Sequence, residues 1–89
     1  MTRDHAVART EYRFTALFEP DEDGGYTVSF PALPGCLTHG ATKDEARRMA
    51  AEALEGYLET LQEDRMPIPV EHDVELPICE PVSVQLKAV

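Results

Sequence analysis

The chain predicts an α+β domain with the element order β-β-β-α-β. Three observations carry that prediction. Two stretches between Tyr12 and Phe30 alternate apolar and polar residues around a cluster of turn residues. Thr42-Lys43-Asp44-Glu45 opens a long run with apolar residues at helical spacing. Val82 to Ala88 then returns to strict alternation.

Tyr12, Phe14, Ala16 and Phe18 alternate with Arg13, Thr15 and Leu17, which predicts a first strand with one buried face. Glu19-Pro20-Asp21-Glu22-Asp23-Gly24-Gly25 has the chemistry of a hairpin loop. Tyr26, Val28 and Phe30 alternate with Thr27 and Ser29 as a second strand. Pro31 and Pro34 cannot donate to a ladder, so pairing should stop there, and Gly35 permits a sharp bend. Cys36 to His39 resumes as a short third strand that ends at Gly40-Ala41.

Thr42 and Glu45 form a capping box, and Asp44 and Glu45 suit the positive end of the helix dipole. The helix should run from Lys43 to about Glu63. Its apolar face is Ala46, Met49, Ala50, Ala53, Leu54, Tyr57, Leu58 and Leu61. Glu45, Glu52, Glu55, Glu59 and Glu63 fall on the other side. Gly56 lies between the two faces, where close packing on a neighbour would explain it. Met66-Pro67-Ile68-Pro69-Val70 stops the helix and runs extended, and Glu71 to Pro81 is a polar connection. Val82, Val84, Leu86 and Ala88 mark the last strand.

Three strands in a meander followed by a helical crossover predict the sheet order 3-2-1-4, with one long helix on one face. A right-handed crossover would lay the fourth strand parallel to the first. Phe14, Phe18, Tyr26, Val28, Phe30, Val84 and Leu86 should meet the helix. Arg13, Thr15, Thr27, Ser29, Ser83, Gln85 and Lys87 should form a solvated face, with Leu17 as an exposed exception. Residues 1–11 read as a flexible N-terminal segment and 12–89 as one domain.

The 89 residues suffice for a single core. Seventeen acids against eight Lys plus Arg give a net charge of −9, which disfavours nucleic acid and anionic membrane as direct partners. The same charge either favours a basic protein partner or keeps a small domain soluble. Cys36 and Cys79 form neither a disulfide framework nor a metal spacing, and they read as free thiols of a reducing, cytoplasmic compartment. No apolar stretch approaches the roughly 20 residues of a membrane span.

The run Gly25-Tyr26-Thr27-Val28-Ser29-Phe30-Pro31-Ala32-Leu33-Pro34-Gly35-Cys36, followed by Gly40-Ala41-Thr42-Lys43-Asp44-Glu45-Ala46, resembles the HicB antitoxin family. Within it, the chain is most similar to the stand-alone HicB-like (UPF0150) domain. Tyr57-Leu58-Glu59-Thr60-Leu61 and Met66-Pro67-Ile68-Pro69 match the family's helix end and proline exit. The resemblance marks Tyr26, Phe30, Pro31, Pro34, Gly35, Thr42 and Glu45 as fold-defining. It implies a two-layer, partial RNase H-like fold and a non-catalytic antitoxin that binds and neutralises a HicA-type toxin, a small basic mRNA-cleaving protein. Many members carry a further DNA-binding domain. This sequence ends at Val89, directly after the predicted fourth strand, so a binding domain alone is expected.

Two other readings stand beside this one. An orphan oligomeric domain without a toxin would have the same sequence. A metal-dependent RNase H-like nuclease would need converging carboxylates, and strand one has no acid between Tyr12 and Phe18. Asp21, Glu22 and Asp23 read as ordinary turn residues, with weak Ca²⁺ or Mg²⁺ binding as the alternative. Cys36 and His39 are three apart on a strand and should face opposite sides, which argues against a thiol or zinc site. No cofactor is expected. The expected contact surface is the helix stripe Glu52, Glu55, Glu59 and Glu63, extended by Asp21, Glu22 and Asp23. The expected homo-oligomer forms through the edge of the fourth strand or through helix faces.

Overall fold

The computed structural model describes residues 9–71 and 79–87. Residues 1–8, 72–78 and 88–89, together with the Arg9 and Cys79 side chains, lie outside the described residues, and with them most of the flexible N-terminal segment and of the polar connection expected from the sequence. The elements are β1 (Arg9–Pro20), β2 (Tyr26–Ser29), β3 (Leu37–Gly40), α1 (Lys43–Glu63) and β4 (Cys79–Lys87). The four strands form one sheet in the order β3-β2-β1-β4, with α1 packed on one face.

All three strand pairings are antiparallel. This corrects the parallel placement of β4. The cause is the route the chain takes after the helix. Gln62, Arg65, Met66, Pro67 and Ile68 gather around Tyr12, so α1 ends beside the lower part of β1. The following segment climbs back along β1 until Glu71 reaches Thr15. β4 then starts at Cys79 opposite Leu17 and descends to Lys87 opposite Arg9.

The two paired strands β1 and β4 are longer than local alternation predicts, whereas β2 stops at Ser29, one residue short of Phe30. β1 begins at Arg9 because Arg9, Thr10 and Glu11 pair with Lys87, Leu86 and Gln85. β4 begins at Cys79 and takes in Pro81. Proline fits there because β4 is an outer strand with one edge unpaired in the sheet.

The buried core joins Phe14, Ala16, Phe18, Val28, Phe30 and Leu86 of the sheet side to Ala46, Ala50, Leu54 and Leu58 of α1. Tyr26 and Val84 are half-buried at its margin. The helical core residues recur every fourth position, which places them in one row. At about 25 cal/mol per Å² of buried apolar area, Leu54 and Leu58 each contribute about 2 kcal/mol.

The bend between β2 and β3 adds Leu33 and Cys36 to the core, both almost fully covered. It is braced by Leu33 N–H to Phe30 C=O at 2.9 Å, Cys36 N–H to Leu33 C=O at 3.0 Å and the Tyr57 hydroxyl to Pro34 C=O at 2.9 Å. Gly35 takes φ +82°, the left-handed conformation that only glycine adopts cheaply.

The helix start is packed more closely than its sequence suggests. A Cβ built on Gly40 would lie 2.4 Å from the Ala46 nitrogen, so the end of β3 touches the helix backbone itself. Thr42 Oγ1 accepts from Glu45 N–H at 3.1 Å, as the capping box requires. The Glu45 carboxylate accepts from Ala41 N–H rather than from Thr42. Gly56 corrects an expectation: a Cβ there meets nothing within 4 Å, so no close neighbour explains it.

Candidate partner-binding surface

α1 carries two kinds of exposed surface. Its first turns hold Lys43 and Arg47. Arg47 reaches Glu80 of β4 through two bonds, Nε to Oε2 at 3.0 Å and Nη2 to Oε1 at 2.9 Å. Lys43 Nζ adds to Glu80 at 3.5 Å and lies over the Phe18 and Tyr26 rings, 5.3 and 5.7 Å from their centroids. The hydrogen bond from Arg47 is the main influence that lowers the Glu80 pKa. The same bond raises that of Arg47.

From Glu52 onward the exposed side chains are of one sign. Glu52, Glu55, Glu59 and Glu63 are exposed at spacings of three, four and four, so the four carboxylates follow one line up the helix. Among the described residues none has a cation within ion-pair distance. The last helical turn contains no basic residue, although the negative end of the helix dipole lies there. Like charges at i,i+4 and acids at a helix C-terminus both cost stability. Local folding physics therefore does not account for the stripe.

The hairpin acids lie elsewhere. Asp21 accepts from the Thr27 hydroxyl at 2.9 Å and from His39 Nε2 at 2.8 Å. Thr27 and His39 are register partners whose side chains share the sheet face opposite α1. The structure thus separates Asp21 from the helix stripe by the thickness of the sheet. A contact surface that used both would have to wrap around an edge.

Asp21, Asp23 and His39 bring possible metal-ligand atoms within 4.8 Å of one another. Protein partners account for this arrangement: Asp21 holds Thr27 and His39, and Asp23 Oδ1 accepts the Gly25 N–H at 3.0 Å. Sequence reasoning missed His39 here because only the β2–β3 register brings it to the hairpin. Cys36 and His39 do face opposite sides. Cys36 is buried on the helix side with Sγ 3.8 Å from Ala53 C=O, and burial raises its thiol pKa above the ordinary value. No described helix is long and apolar enough to cross a membrane.

The fold is thus a single four-stranded antiparallel sheet backed by one helix, with an acidic outer helix face. The family model described as the HicB-like antitoxin of bacterial toxin–antitoxin systems matches residues 14–82. The chain belongs to the HicB-like antitoxin family. It is 41% identical over 66 residues to a UPF0150 protein of Thermoplasma acidophilum, covering 74% of this chain and 96% of that one. It is 44% identical over 79 residues to antitoxin HicB 1 of Photorhabdus laumondii, covering 83% of this chain and 51% of the relative. The chain thus spans nearly all of the first relative and about half of the second. The crystal structure of the N-terminal domain of Burkholderia pseudomallei antitoxin HicB superposes with a TM-score of 0.72 at 27% identity, over 84% of this chain and all of that one.

Proposed function

We propose that this domain is a non-catalytic antitoxin module that binds a HicA-type toxin directly and neutralises it in the cytoplasm. The observation that carries this reading is the uncompensated line Glu52, Glu55, Glu59 and Glu63. A row of four like charges without cations is held at a cost in helix stability, and a basic partner would return that cost on binding. Membership of an antitoxin family supplies the partner class. The hairpin acids Asp21, Glu22 and Asp23 are secondary contacts in this reading, reached around the sheet edge. A homo-oligomer through the outer edge of β4 would leave the stripe open on every copy.

The experiment is a double charge reversal, Glu55→Lys with Glu59→Lys, followed by titration against the toxin at low and high salt. Both side chains are exposed, so the fold should survive. Affinity should fall by at least about a hundredfold at low salt and by less at high salt. Unchanged affinity at low salt would remove the stripe from the interface. The near-complete match to a short UPF0150 protein favours one second reading, an orphan domain without a toxin. A pull-down from the native host separates the two, since only the first reading recovers a small basic protein.

A further inference from the structure

β1 is flanked unequally along its length. β4 runs beside it from Arg9 to Leu17, whereas β2 runs beside it only from Leu17 to Pro20. Below Leu17, no described strand pairs with the β2-side edge. Strand N–H groups alternate between the two edges. The Phe30 N–H donates to Cys36 C=O on the β3 side, so the Ser29 N–H faces β1 and that of its partner Leu17 faces β2. Thr15, Arg13 and Glu11 follow at steps of two, so their N–H groups also point to the vacant edge. The Glu71 carboxylate fills the first place, accepting from Thr15 N–H and, at 2.8 Å, from the Thr15 hydroxyl. Among the described residues the Arg13 and Glu11 N–H groups have no acceptor.

Facing this edge is the segment Ile68 to Glu71, which makes no ladder with β1. The two walls enclose an open slot of about 560 Å³ lined by Glu11, Arg13, Tyr12, Phe14 and 68–71. Val70 stands at its rim, 82% exposed. Tyr12 and Ile68 also line the neighbouring groove at the C-terminal end of α1, together with Gln62, Arg65, Met66 and Pro67.

We propose that this slot receives one extended segment of a cationic partner protein, which adds to β1 as a strand at Glu11 and Arg13. Unpaired backbone donors at a sheet edge are satisfied by backbone acceptors, and strand addition supplies these in register. Tyr12, Phe14, Ile68 and Val70 give apolar walls for alternate side chains of the incoming strand. The charges select its sign. Glu11 and Glu71 line the slot against Arg13 alone. Arg13 is engaged by Glu11 at 3.6 Å and by Ser83 at 3.1 Å. A second copy of a chain with net charge −9 is a poor occupant. The proposal rests on the antitoxin reading above and adds a second place and a mode of contact beside the helix stripe.

The test is amide hydrogen exchange on the full chain, free and bound to the basic toxin recovered by co-expression. Exchange at Arg13 and Glu11 should slow by at least about tenfold on binding, while Thr15, already bonded to Glu71, changes little. Val70→Arg should weaken toxin binding by about tenfold without altering thermal unfolding, because Val70 buries little of itself. Binding with unchanged exchange at Arg13 and Glu11 would overturn the slot and leave the antitoxin reading intact. Failure of the toxin to bind at all would overturn both. Protection that grows with protein concentration and no toxin present would assign the slot to a second copy and defeat the proposal.

Discussion

The two halves of α1 solve different problems. The first half is tied down by a hydroxyl cap, by Arg47 and Lys43 on Glu80, and by the backbone contact at Gly40. The second half keeps its apolar face on the core through Leu54 and Leu58, yet outside it carries Glu52, Glu55, Glu59 and Glu63 without a cation. It also ends without glycine. Arg65 takes the left-handed position at φ 56°, and Arg65 N–H to Gln62 C=O and Met66 N–H to Leu61 C=O complete the terminal turn. The difference teaches that only the first half is tuned outside as well as inside for folding. The second half leaves stability on its outer face unused.

Substitutions can break or sharpen that contrast. The largest effect belongs to the first half: Gly40→Ala forces a Cβ into the backbone of Ala46 and should cost about 3 kcal/mol in denaturant unfolding. Thr42→Ala removes the cap and should cost about 1 kcal/mol by the same measurement. In the second half the sign should reverse. Gly56→Ala meets open space and should raise stability by about 0.8 kcal/mol, and a loss there would refute the contrast. Glu59→Gln should add about 0.3 kcal/mol by relieving its like-charged neighbours at i±4.

The smallest effect is a pH dependence. The lowered Glu80 pKa means that its pairing stabilises the fold above the ordinary value of 4.5 and is lost as pH falls through the folded value. Glu80→Gln should therefore unfold slightly earlier than the parent at pH 6 to 7. The two melting curves should converge as pH falls well below 4.5, and a gap that persists there would mean that the glutamate acts by packing.

The legible part of the fold was local chemistry. Thr42 and Glu45 marked the helix start, the apolar row marked its face, and Pro31, Pro34 and Gly35 marked the bend. What escaped the sequence depends on distant partners. Arg9 to Glu11 are strand only because β4 lies beside them. β4 runs antiparallel because the segment through Glu71 first climbs β1. Leu33 reads as one residue of a proline-rich turn, and only the closure of that turn over α1 buries it. For the site, the acidic stripe followed directly from helical spacing. The bare edge of β1 did not, since it exists through the unequal lengths of β1 and β2.

Cys36 has a use as a chronometer. Its thiol is covered by the proline bend and α1, with a raised pKa that suppresses the reactive thiolate. An alkylating reagent can attack it only when the bend lifts away from the helix and the Tyr57–Pro34 bond opens. The labelling rate at this one sulfur therefore counts openings of the native protein, and it would slow in step with any partner that clamps the bend shut.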